Sequence, residues 1–167
     1  MTTDQDKADL VKLAGAVIER AIAADLMVTT AESCTGGMIA AALTDIAGAS
    51  AALDRGVVTY SNAAKIDLLA VPEAVLAAHG AVSAETAAAM ADGALRAAPQ
   101  AGIAIAVTGI AGPGGGTADK PVGLVWFGLA IRGGRTVTTH HIFTGDRATV
   151  RHRAASTALT MMKDGIG

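Results

Sequence analysis

Residues 103–131 read IAIAVTGIAGPGGGTADKPVGLVWFGLAI, and this stretch decides the fold. Ile103 to Val107 is an unbroken apolar run of strand length, as expected for a strand buried on both faces. It leads into Thr108 and a loop, Gly109 to Gly123, that contains Gly112, Pro113, Gly114, Gly115 and Gly116. A parallel return would need a crossover of about a dozen residues, usually helical, and this density of glycine and proline leaves no room for the helix. The next strand, Leu124 to Ile131, is therefore expected to return antiparallel. Gly133 and Gly134 then turn the chain into Thr136 to Phe143, a strand that reverses direction once more.

Upstream, the chain repeats a strand, loop and helix pattern. Lys7 to Ala24 carries Leu10, Leu13, Ala14, Val17, Ile18, Ala21 and Ile22 at spacings of three and four, the period of an amphipathic helix. Leu26 to Ala31 reads as a first strand that stops at Glu32, and Gly36 and Gly37 precede a helix over Met38 to Ile46. Val57 to Tyr60 reads as a second strand, after which Asn62 is placed to cap a helix through Lys65 to Leu69. Pro72 suits a helix start that closes at His79 and Gly80, and Ser83 with Thr86 opens an alanine-rich helix to Ala98. A last helix is expected from Asp146 to Lys163. The sum is an α/β chain: one three-layer α/β/α domain over residues 1–167 with a mixed five-stranded sheet. With the first two strands parallel to the third, strands one, two, three and five end at one edge. In open α/β sheets the ligand crevice lies outside such carboxyl ends.

Composition narrows the function classes. The net charge of −2 and the even scatter of charged residues offer no basic stripe for a phosphate backbone, so nucleic acid is not the expected partner. Although 51% of the chain is hydrophobic, charge or glycine interrupts every apolar run well short of the roughly 18 residues a bilayer span needs, and no membrane helix is expected. Met1 to Asp9 is polar and acidic where a secretory signal would be basic, which reads as a cytoplasmic start. Cys34 is the sole cysteine, so a reducing compartment fits and a thiolate zinc cluster does not. His79, His140, His141 and His152 lack metal-ligand spacing, and neither metal nor organic cofactor is expected. Surplus apolar surface on so small a domain points to a homo-oligomer.

Four segments at the shared edge could carry chemistry. Glu32-Ser33-Cys34-Thr35-Gly36-Gly37 puts two hydroxyls on a turn at a helix N-terminus, where free N–H groups can hold an anion; a plain N-cap with close-packing glycines reads it equally well. Cys34 has no nearby base and reads as a small buried hydrophobe. Tyr60-Ser61-Asn62-Ala63-Ala64-Lys65 adds a phenol and an amine. Ser33, Tyr60 and Lys65 can form a nucleophile and proton relay without histidine if the lysine is desolvated enough to be neutral, and a solvated surface lysine is the plainer alternative. Thr108 and the glycine loop fit neither common phosphate motif, yet ordering so many glycines suggests close backbone approach to a ligand rather than a bare hairpin loop. Arg147 and Arg151 lie four apart at a helix start, where a cation opposes the dipole by about 1 kcal/mol or less; this hints at a bound anion unless Asp146 neutralises it.

Three of these runs, Ala31 to Gly37, Gly56 to Asn62, and Thr108 to Gly115 through Lys120-Pro121-Val122-Gly123, resemble in sequence and order the signatures of the CinA C-terminal family. The resemblance covers nearly the whole chain. It implies hydrolysis of nicotinamide mononucleotide to nicotinate mononucleotide and ammonia, with Ser33 as nucleophile and Tyr60 and Lys65 as proton-transfer partners. The glycine loop and Arg147 would hold the nucleotide. The substrate-binding set expected on this basis is Thr35, Gly36, Gly37, Thr108, Gly109, Gly112, Gly114, Gly115 and Arg147, with N–H groups around Thr35 to Gly37 stabilising the oxyanion. The larger family members carry a further N-terminal domain, expected to be missing here. A non-catalytic nucleotide-binding module and an amidase for another small amide remain the alternatives.

Overall fold

The structure is a computed structural model that describes residues 4–167, so Met1 to Thr3 of the polar start lie outside the described residues. In chain order the elements are α1 (Asp4–Ala23), β1 (Met27–Glu32), α2 (Met38–Thr44), a 3-10 turn (Ala49–Ala51), β2 (Leu53–Val58), α3 (Asn62–Leu69), α4 (Glu73–His79), α5 (Ala84–Ala97), β3 (Ala101–Gly109), β4 (Leu124–Ile131), β5 (Val137–Ile142) and α6 (Arg147–Gly165). The five strands are ordered β2-β1-β3-β4-β5. β1 pairs in parallel with β2 and β3, and β4 is antiparallel to both β3 and β5. As expected from the glycine loop, β1, β2, β3 and β5 end at one edge.

The two faces of the sheet are packed differently, and the strand alternation shows why. On β3, Ile103, Ile105 and Val107 join Val125, Phe127 and Leu129 of β4 against α1, α2 and α6. Ala104 and Ala106 turn the other way with Ala31 and Ala130, onto α5. Small side chains there let α5 approach closely: a Cβ at Gly128 would lie 2.3 Å from the Ala87 carbonyl oxygen. A chain with 2% aromatic residues thus closes its core by short interlayer distance rather than by large rings.

Two local expectations are corrected. β2 begins at Leu53, not Val57, because Asp54, Arg55 and Gly56 lie on an edge strand where polar side chains meet solvent. The α3 cap is Ser61, whose Oγ accepts from Ala64 N at 3.0 Å, and Asn62 is the first helical residue. No helix among the described residues is long and apolar enough to cross a membrane.

Candidate active site

Ser33 sits one residue past β1, on a turn built by glycine. Its N–H still bonds Val107 O of β3 at 2.9 Å, and Gly36 N closes the turn onto Ser33 O at 3.0 Å. Gly36 and Gly37 have φ of 62° and 92°, a left-handed conformation that strains side-chain-bearing residues. Arg151 of α6 braces the turn from outside: Nε donates to Cys34 O at 3.1 Å and Nη2 to Thr35 O at 2.8 Å. That guanidinium is therefore occupied by the backbone.

Lys65 reaches this turn from α3. Its Nζ donates to Ser33 Oγ at 3.0 Å and to Thr59 O at 2.7 Å. The side chain is 1% exposed, the largest fully buried side chain among the described residues. No carboxylate among the described residues comes within ion-pair distance of it. Burial lowers its pKa from 10.5 to about 8, with a smaller opposing contribution from Cys34. An appreciable share of neutral amine is then present near neutral pH. Burial pushes the Cys34 thiol up to about 11, which makes it inert as a nucleophile despite its position beside Ser33.

A cavity of about 180 Å³ opens onto the pair, walled by Tyr60, Val82, Gly109, Ala111 and Arg147 among others. Tyr60 stands at the exposed rim, and its hydroxyl accepts from Arg147 Nη2 at 2.8 Å rather than touching Ser33 or Lys65. Arg147 Nη1 also donates to Gly112 O at 2.8 Å, so one guanidinium ties the post-β2 segment to the glycine loop across the cavity mouth. Asp146 caps α6 by accepting from Thr149 N at 2.9 Å. Thr108 lines the cavity, but its hydroxyl donates to Ala81 O at 2.7 Å.

The structure thus brings Ser33, Tyr60, Lys65, Thr108, Gly109 and Arg147 to one cavity. It does not bring Thr35, Gly36, Gly37, Gly112, Gly114 or Gly115 to the wall. Thr35 is fully buried, and its hydroxyl has no partner among the described residues. The N–H groups of Gly36 and Gly37, expected to be free, already donate to Ser33 O and to the Glu32 carboxylate. Glu32 belongs to none of the expected site residues; the signal the sequence offered for it is a lone acid ending an otherwise uncharged, buried strand.

A nucleophile-sized hydroxyl held by a buried, uncompensated lysine at the carboxyl edge of an α/β sheet defines a candidate acyl-transfer site. The CinA C-terminal domain family model matches residues 10–166, and the chain belongs to that family. It is 59% identical to the nicotinamide-nucleotide amidohydrolase PncC of Enterobacter agglomerans over 77% of each chain. It is 50% identical to the protein of that name from Escherichia coli K12, over 90% of this chain and 91% of that one. The crystal structure of the competence/damage inducible protein CihA from Agrobacterium tumefaciens superposes with a TM-score of 0.89 at 50% identity, over 92% of this chain and 93% of that one.

Proposed function

We propose that the chain hydrolyses nicotinamide mononucleotide to nicotinate mononucleotide and ammonia, with Ser33 as nucleophile and Lys65 as its base. The observation that carries the reading is the buried 3.0 Å contact between Lys65 Nζ and Ser33 Oγ; the names of the amidohydrolase relatives supply the substrate. Neutral Lys65 takes the Ser33 proton as Oγ attacks the carboxamide carbon. The N–H of Cys34, which lines the cavity, bonds no oxygen acceptor among the described residues and is the donor left for the oxyanion. Protonated Lys65 returns the proton to the amide nitrogen, ammonia leaves, and water activated by the same amine cleaves the ester. Tyr60 serves at the rim, entering the relay only if its hydroxyl leaves Arg147.

The cavity volume suits the pyridine carboxamide and leaves the ribose phosphate at the mouth. Arg147 spends two of its five N–H donors on Tyr60 and Gly112, so three remain for phosphate. We also propose a homo-oligomer, since Val58, Leu68, Val137 and Ile142 leave apolar surface exposed; sedimentation analysis tests it. Ammonia release across nicotinamide, its riboside, its mononucleotide and the dinucleotide tests the function. The mononucleotide is expected to lead by a wide margin. Equal turnover of free nicotinamide would remove the nucleotide from the reading, and no release from any of them would leave a binding module.

A further inference from the structure

Glu32 is fully buried at the junction where β1 becomes the Ser33 turn. Its carboxylate accepts three backbone N–H groups from the start of α2: Oε2 from Gly37 at 3.0 Å and Ile39 at 3.1 Å, and Oε1 from Ala40 at 2.8 Å. No lysine or arginine among the described residues pairs with it. Its main chain is held on the other side as well, because Glu32 O accepts Thr59 N at 2.8 Å while the next N–H, of Ser33, bonds Val107 O. Glu32 therefore ties the end of β2 to α2 while its neighbour Ser33 holds β3, and the chain between the backbone and carboxylate contacts of Glu32 is the turn that carries Ser33.

We infer that Glu32 is a positioning residue for the hydrolytic reaction: it is the built-in anion of the α2 N-terminus, and by occupying those N–H groups it fixes Ser33 against Lys65 and keeps substrate anions off α2. A carboxylate taken out of water is tolerated only where hydrogen bonds replace its hydration, and here the positive end of a helix supplies them. The arrangement decides between two phosphate locations. The glycine turn at α2 is sequence-like for anion binding, but its donors are taken from within, and Arg151 is taken by Cys34 and Thr35. Substrate phosphate is left to the Arg147 side of the cavity. The positioning role rests on Ser33 being the nucleophile; the filling of α2 by Glu32 does not.

The test uses the full chain with Glu32→Gln, isosteric and uncharged, and Glu32→Ala, which vacates the position. Amide hydrogen exchange over residues 37–40 reads the α2 anchor without reference to activity, and ammonia release from the mononucleotide reads Ser33. Both variants are expected to fold, to exchange faster at Gly37, Ile39 and Ala40, and to lose kcat by about 100-fold, as misplacement by about 1 Å does, with KM within about twofold. Formate, a carboxylate small enough for the vacated position, is expected to restore kcat of Glu32→Ala in part, while isosteric neutral formamide is not. Full kcat with a loosened α2, unchanged exchange, equal rescue by formamide, or failure of both variants to fold would each overturn the inference. If Ser33→Ala itself keeps its activity, the nucleophile assignment falls and the positioning role with it, while the exchange data still report whether Glu32 anchors α2.

Discussion

Replacing Lys65 by methionine keeps the bulk of the side chain but removes the proposed base, and it is expected to abolish activity without weakening the fold at neutral pH. Lys65 is 1% exposed, and burial lowers its pKa from 10.5 to about 8. At about 1.4 kcal/mol per pH unit, holding the protonated amine in the folded chain costs about 3 kcal/mol below pH 8. Methionine relieves that penalty. Against the gain stands the buried Thr59 carbonyl, which loses its 2.7 Å donor at a cost of about 1–3 kcal/mol, whereas Ser33 Oγ, which loses its donor too, faces the cavity, where water can replace the amine. The variant should therefore match the wild type at pH 7 or exceed it by up to about 2 kcal/mol. The sign depends on pH. Between 8 and 10.5 the unfolded chain binds the proton that the folded chain has released, so wild-type stability rises through that window and the variant loses its advantage. Urea denaturation of both proteins at pH 7 and pH 10, followed by circular dichroism, measures the shift, and ammonia release at pH 8 should fall by about 100-fold or more. A variant markedly less stable than wild type at pH 7, or a stability difference that does not move with pH, would refute the reasoning.

Arg147→Ala should raise KM for the mononucleotide by about tenfold or more, the worth of one charge-assisted hydrogen bond, and leave any turnover of free nicotinamide unchanged; steady-state kinetics on the two substrates checks this. Gly128→Ala forces a Cβ to within 2.3 Å of the Ala87 carbonyl oxygen, so α5 must shift from the sheet; thermal unfolding should show a loss of about 1–3 kcal/mol or more. Dialysis against a strong chelator should leave the rate unchanged, since the described residues bring no three of His, Cys, Asp and Glu together as metal ligands.

The architecture was legible because glycine and proline after β3 forbid a crossover helix, which sets β4 antiparallel, and the turn at Gly133 and Gly134 then sends β5 back to the shared edge. The start of β2 was not, because Asp54, Arg55 and Gly56 read as loop: Gly56 is a packing requirement, with a Cβ there meeting Ala40 Cβ and Thr30 Oγ1 at 2.6 Å. Ser33 and Lys65 were readable as candidates from residue type and strand ends, whereas their contact depends on a turn conformation and on α3 docking. Tyr60 and Arg147 lie 87 positions apart, and no local pattern joins them. The turn before α2 was left open between an anion site and a plain cap for a physical reason: sequence shows that a helix start can take an anion, and only the fold shows that Glu32 occupies its N–H groups.

The Ser33–Lys65 pair is tested most directly by the initial rate of ammonia release from nicotinamide mononucleotide, followed from pH 6 to pH 10 in the wild type and in Ser33→Ala. A base that is active when neutral, with its pKa near 8, predicts a wild-type rate that climbs about tenfold for each pH unit on the acidic side and levels above pH 8 to 9. Ser33→Ala is predicted to show no release above background at any pH. Retained release in that variant, or a wild-type rate flat across the range, would contradict the account.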